Sequence, residues 1–198
     1  MIRLKINHLV NLQDARYCAA LDCVALVSFA LDRDSHHHLP LRDVLEIIEW
    51  LSGPTPVLDF GRDAEQLDTF LAGYFPERVW IQVDHSLVPH ILQHPEALAS
   101  RTLVQAPASA FTDLESLIAE FAGVEWTLTP LDLQNSPPRW AQRLQNPAYW
   151  LNTDQLSPTQ VTLLQPAPQQ LSMRKWVEAD LHHLDFDKFE ITLAEFRV

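Results

Sequence analysis

Short apolar runs recur along this chain, and each is followed by a stretch whose apolar positions repeat with helical period. Leu4–Ile6, Cys23–Ala30, Pro56–Phe60, Arg78–Val83, Thr102–Ala106, Val124–Leu128, Ala148–Leu151 and Gln170–Arg174 are the predicted strands. The predicted helices are opened by recognisable starts. Asn11 reads as an N-cap with Asp14 behind it, and Pro40 opens a helix carrying Leu41, Val44, Leu45, Ile48 and Leu51. Asp63–Glu65 starts the next, and Ser86–Gln93 forms a fourth. Thr112 with Glu115 reads as a capping box ahead of Leu114, Leu117, Ile118 and Phe121. Pro137–Leu144, Ser157–Leu164 and Asp185–Phe196 complete the set. Strand and helix thus alternate through eight cycles with short loops and no linker, which predicts an α/β fold in which one domain, residues 1–198, forms a small (β/α)8 barrel. An open doubly wound sheet is the alternative, and eight cycles favour closure.

Composition supports this and narrows the chemistry. The 198 residues, 47% of them hydrophobic, can bury a full core, at the lower end of the roughly 200–250 residues usual for a barrel. The net charge of −12, from 26 acidic and 14 basic residues, disfavours nucleic acid and anionic membranes as partners. The N-terminus has no secretory pattern, and no apolar run of roughly 18 residues occurs, so a cytoplasmic location and no membrane contact are expected. Cys18 and Cys23 read as buried reduced thiols. Only four glycines occur, where average usage of about 7% would supply roughly fourteen. Gly53, Gly73 and Gly123 fall where helices should end, which leaves only Gly61 after a strand. Phosphate-cradling loops need open backbone amides, and this chain has few glycines to provide them.

The frame Lys5-Ile6-Asn7-His8-Leu9 with Asn11-Leu12-Gln13-Asp14-Ala15-Arg16-Tyr17 resembles K-I-x-x-(L/I)-x-N-L-x-D-A-x-x of the phosphoribosylanthranilate isomerases, the (β/α)8-barrel enzymes of tryptophan biosynthesis. Phe29–His38 stands where that family has F-x-x-x-S-x-R-x, and Val79–His85 where it has V-Q-L-H-G. Leu151–Val161 is similar to L-A-G-G-L-x-P-E-N-V, and Glu178–Phe189 to E-x-S-P-G-x-K-D-x-x-K-(I/L). The resemblance implies an Amadori-type aldose–ketose isomerase and also places its working positions, nearly all of which are changed. The general-base cysteine is Asn7, whose carboxamide has no useful basicity, and the glycine after it is His8. The general-acid aspartate aligns with Thr129, and Asp132 could stand in for it only if that loop folds back. Asn152-Thr153 replaces a glycine pair, Asp180-Leu181-His182 a phosphate-binding segment, and Leu133–Pro137 a glycine-rich loop.

At the expected barrel mouth these strand ends place Asn7, His8, Asp59, Asp84, His85, Gln105, Thr129, Asp132, Asn152, Asp154, Lys175 and Glu178. The candidate ligand-binding residues among them are Asn7, His8, Asp59, Asp84, His85, Gln105, Asn152, Asp154 and Glu178. His8, Asp59, Asp84 and His85 offer metal donors on strand ends, but their spacing is not diagnostic, and neither metal nor cofactor is expected. His36–His38 reads as a solvated loop. Core packing accounts for most of the six tryptophans, with Trp140 and Trp176 as candidates for a mouth or an interface. Three functions stay open: a barrel that has lost the isomerisation and binds a small molecule or protein, a residual isomerase using His8 and Asp132, and a new enzyme at the Asp/His mouth. The chain is expected to be a monomer or homodimer.

Overall fold

The first unit sets the pattern for the rest. β1 (Arg3–Asn7) is buried from Leu4 onward, and a left-handed residue, His8 at φ +59°, turns the chain out of the sheet. Asn11 then caps α1 (Leu12–Ala19) by accepting the Asp14 N–H at 2.8 Å, while its own amide donates to the Asp14 carboxylate. The computed structural model describes residues 2–73, 77–94, 96–174 and 186–195. Over these the order continues with β2 (Val24–Ala30), α2 (Leu41–Glu49), β3 (Thr55–Asp59), α3 (Ala64–Leu71), β4 (Trp80–Asp84), α4 (Val88–Ile91), α5 (Glu96–Ala99) and β5 (Thr102–Pro107). It closes with α6 (Phe111–Leu114), β6 (Gly123–Thr127), α7 (Pro130–Asn135), α8 (Pro137–Arg143), β7 (Tyr149–Asn152), α9 (Pro158–Thr162), β8 (Gln170–Arg174) and α10 (Phe186–Glu195). The strands are parallel, each pairs with its sequence neighbour, and β8 returns to β1 in unbroken register from Arg3–Gln170 to Asn7–Arg174. The (β/α)8 barrel is closed.

Three local expectations are corrected. Thr112 caps nothing: a 3-10 turn at Ala108–Ala110 runs straight into α6, which leaves Thr112 inside the helix. Residues 133–135 belong to a helix rather than a loop, because Thr129 and Asp132 form a capping box that starts α7. Gly123 is the first residue of β6, not a helix cap; a Cβ there would lie 2.6 Å from the Ala148 carbonyl oxygen. Gly61, at φ +51°, lies just after β3 as expected, and a Cβ there would meet the Asp32 carboxylate.

Most apolar side chains lie between the strands and the helical layer, where Phe189 of α10 is also buried and Tyr17 donates to Glu190 at 2.8 Å. Burial and that acceptor push the Tyr17 hydroxyl up to about 12. Trp140 is buried against Phe111 and Trp126, which makes it a core residue, whereas Trp50 is 65% exposed. Trp176 lies outside the described residues.

The inside of the barrel is different. Leu26, Val57, Leu103 and Trp150 form a small apolar plug separate from the main core. Alternation along β2 and β7 puts Ser28 and Asn152 on the same face as Leu26 and Trp150. On that face Lys5 Nζ reaches Glu125 Oε2 at 2.6 Å, with both side chains fully buried. β1 and β6 are not neighbours in the sheet, so this contact spans the barrel interior. Most barrels fill that space with branched aliphatic layers. Here an ion pair fills it.

A buried pair of this kind leaves an uncompensated charge when one partner is removed, at a cost of about 3–5 kcal/mol. Lys5→Met and Glu125→Leu are each expected to lower stability to urea by about that amount. The double variant is expected to lose clearly less than the sum; strict additivity in this double-mutant cycle would contradict the coupling.

Candidate functional site at the barrel mouth

Asn7, at the end of β1, is 3% exposed and fully engaged. Its Oδ1 accepts from Lys5 Nζ and, at 3.2 Å, from Ser28 Oγ. Its Nδ2 donates to Ser172 Oγ at 2.7 Å and to Glu125 Oε1 at 3.4 Å. Asn152 donates to the same Glu125 oxygen at 2.8 Å and accepts the Asp154 N–H at 2.9 Å. The floor of the mouth is therefore a closed network over the Lys5–Glu125 pair.

Above it stands a histidine–carboxylate pair. His8 Nε2 lies 3.2 Å from Asp59 Oδ2, joining the ends of β1 and β3 across the mouth. Asp59 also accepts the Gly61 N–H at 3.0 Å and the Gln82 amide at 3.2 Å. His8 Nδ1 and Gln82 Oε1 are buried with no hydrogen-bond partner among the described residues. The His37 ring packs on His8 with centroids 5.7 Å apart, so one member of the 36–38 run departs from the solvated-loop expectation. His38 bonds the Leu31 carbonyl oxygen at 3.2 Å, and His36 is exposed.

Asp154 follows β7 on the far side. Burial pushes its carboxyl pKa up, with the Glu125 charge adding to the effect, against the opposing pull of the Arg174 N–H, the Arg174 guanidinium and His8. Arg174 Nε lies 3.0 Å from Asp154 Oδ2 and its N–H donates to Oδ1 at 2.8 Å. Thr153 N donates to the Ser172 carbonyl oxygen at 2.8 Å. The Thr153 and Asp154 amides after β7 and the Arg174 amide at the end of β8 are thus engaged within the chain, close to the strand ends where barrels commonly hold phosphate.

The remaining candidates lie apart from this cluster. Asp84 Oδ1 accepts the Ser86 N–H at 3.0 Å, and Oδ2 lies 3.3 Å from Arg62 Nε. Burial raises the Asp84 pKa, but the Ser86 hydrogen bonds, His85 and Arg62 outweigh that and hold it below the ordinary carboxylate value. His85 Nδ1 is 3.3 Å from Asp84 Oδ1. His8, Asp59, Asp84 and His85 thus form two separate pairs rather than one donor set. Gln105 is half-buried on β5, in register with Asp84 and Glu125. Thr129 is exposed, and both its N–H and its hydroxyl donate to Asp132 Oδ2, at 2.8 and 2.7 Å. Asp132 does fold back, but onto that helix start; it also lines a cleft of about 230 Å³ with Phe111, Arg139, Trp140 and Arg143. Lys175, Glu178 and the segment 180–182 lie outside the described residues.

Glu125, Gln82, Ser28, Ser172 and Arg174 were missed from sequence. Glu125 and Gln82 are polar residues in the middle of apolar strands, and that position is itself the signal. Lys5 was read only as part of a motif.

No protein-family model and no curated protein sequence matches the chain. Solved structures do. Mutually generated monomers of the dimeric phosphoribosylanthranilate isomerase from Thermotoga maritima align over 100% of this chain and 99% of theirs, with TM-score 0.70 and 19% identity. The N-(5′-phosphoribosyl)anthranilate isomerase from Pyrococcus furiosus aligns over the same shares with TM-score 0.72 and 14% identity. The fold is that of the phosphoribosylanthranilate isomerases. Another such isomerase, solved with reduced 1-(o-carboxyphenylamino)-1-deoxyribulose 5-phosphate, gives TM-score 0.69 at 18% identity over 100% of this chain and 99% of that one. No helix among the described residues is long and apolar enough to cross a membrane.

Two outcomes follow from this geometry. At φ +59° a Cβ costs roughly 1 kcal/mol that glycine avoids. His8→Gly and His8→Ala both lose the Asp59 contact, so the glycine variant is expected to be about 1 kcal/mol more stable in chemical unfolding. Equal stabilities would mean that the turn stores no strain. For Asp154 the folded pKa lies above the ordinary 3.8, so the folded chain holds this proton more tightly than the unfolded one. Asp154→Asn should match wild type most closely below pH 3.8 and gain on it as pH rises through the raised pKa. Thermal melts across that range check the sign.

Proposed function

We propose that this chain is an isomerase-fold barrel that has lost the aldose–ketose isomerisation and now binds a small molecule rich in hydrogen-bond donors, most favourably a cation. The saturation of Asn7 carries the first half of this reading. The group at the position of the family's base is an amide, it is buried, and every one of its hydrogen-bonding atoms is engaged. It has neither the basicity nor the freedom to take a proton from carbon. The hydroxyl and carboxylate of Thr129 and Asp132, the positions considered for the acid, hold a helix end.

The ligand class follows from what the mouth offers. Asp59 and Asp154 bring negative charge, and Gln82 Oε1 is an acceptor without a donor. When Nε2 of neutral His8 donates to Asp59, Nδ1 is an acceptor as well. The guanidinium of Arg174 already pairs with Asp154. Such a lining repels a ligand like the carboxyphenyl sugar phosphate bound to the solved isomerase, which is anionic at both ends. A second reading, a new acid–base enzyme, is favoured by the His8–Asp59 pair itself, an imidazole oriented by a carboxylate with its other nitrogen buried and unpaired among the described residues.

The deciding measurement is turnover of phosphoribosylanthranilate by purified protein, followed through loss of substrate fluorescence. No rate above the buffer blank is expected. A rate that His8→Ala or Asp132→Asn abolishes would overturn the proposal and restore the isomerase.

A further inference from the structure

A histidine pair outside the barrel belongs to none of this chemistry. His90 lies in α4 and His94 four residues on, just past its end, so the two rings fall on the same side of one helical turn with centroids 5.3 Å apart. Asp68, on the neighbouring α3, faces both. Its Oδ1 lies 2.7 Å from His90 Nε2 and 3.9 Å from His94 Nε2. Among the described residues, this is the group whose donor atoms all lie within 4.8 Å of one another. The two imidazoles are partly sheltered, at 30% exposure each, and the carboxylate is half-exposed at 53%.

We propose that Asp68, His90 and His94 form a binding site for a divalent transition metal of the zinc class. Two nitrogen donors and one carboxylate oxygen suit Zn²⁺, Co²⁺, Ni²⁺ or Cu²⁺, whereas Mg²⁺ and Ca²⁺ prefer oxygen donors throughout. Bonds of about 2.0–2.1 Å in a tetrahedron put ligand atoms about 3.3 Å apart. The two distances from Asp68 Oδ1 bracket that value, so small side-chain rotations on a fixed backbone complete the set. The ion takes the place of the His90–Asp68 hydrogen bond, the neutral ring keeping its proton on Nδ1, and its fourth position is left to water. Because one ligand comes from α3 and two come from α4 and the turn after it, the ion ties adjacent units of the helical layer together. The net charge of −12 favours cation capture over the whole surface.

The test uses untagged, chelator-treated protein titrated with Zn²⁺ by calorimetry and with Co²⁺ by visible absorption. One equivalent is expected to bind, with Co²⁺ bands of a low-coordinate N/O site, and Zn²⁺ is expected to raise the melting temperature. His90→Ala and His94→Ala should each weaken binding at least tenfold and remove the thermal shift, while leaving the metal-free melting temperature near wild type. Asp68→Asn should weaken binding less. Mg²⁺ at the same concentration should do nothing. Absence of stoichiometric binding overturns the site, and so does binding that survives His90→Ala/His94→Ala. Binding that survives that double variant but falls with His8→Ala would place the metal at the mouth instead.

Discussion

The Lys5–Glu125 pair is the constraint on which the interior depends. Two opposite charges with no exposure are tolerable only with close geometry and every remaining lone pair and proton engaged. Asn7, Asn152, Ser28 and Ser172 meet that demand, and each comes from a strand whose register the others fix. An apolar replacement of such a pair is often as stable or more so. The pair therefore does not explain why the barrel is stable. It explains why the mouth has a polar floor: Lys5 faces Glu125 beneath it, and the amides of Asn7 and Asn152 lie over the pair.

That floor determines what the rim can do. A barrel that grips phosphate presents backbone amides after its last strands. Here, at the end of β8 and just after β7, side chains turn back and use the amides, as Asp154 does with the Arg174 N–H and Asn152 with that of Asp154. Those two amides are spent, and Asp59 and Asp154 present acceptors at the described part of the rim. A polar side chain, where glycine would leave the amide open, covers that donor and competes for it, so few glycines and an acceptor-rich mouth go together.

The barrel was legible in the sequence because its signals are local and repeated. Asn11, Asp63 and Ser157 cap helices where the pattern placed them, and the apolar runs became strands within a residue or two. The Thr112–Glu115 pattern failed because backbone turns at Ala108–Ala110 had already begun the helix, a competition that no motif records. The interior was less legible. Strand patterning says that Glu125 is out of place, but nothing along the chain says that Lys5, 120 residues away, is its partner. His90 and His94 carried a readable four-residue spacing; Asp68 is added to them only by the packing of α3 against α4.

His8 connects these levels. A histidine at φ +59° is an uncommon choice at a turn that glycine would make without strain, and it follows a residue locked in the buried network. The left-handed turn projects the imidazole across the mouth to Asp59 rather than out along the strand. Asp59 in turn is fixed by Gly61, whose own positive φ brings its N–H within 3.0 Å of the carboxylate. A strained turn after β1 and a glycine turn after β3 therefore hold one imidazole and one carboxylate 3.2 Å apart. Strain that persists where a glycine would relieve it places the cost on the side chain's role. On that argument the proposed binding site at the mouth has His8 and Asp59 at its centre.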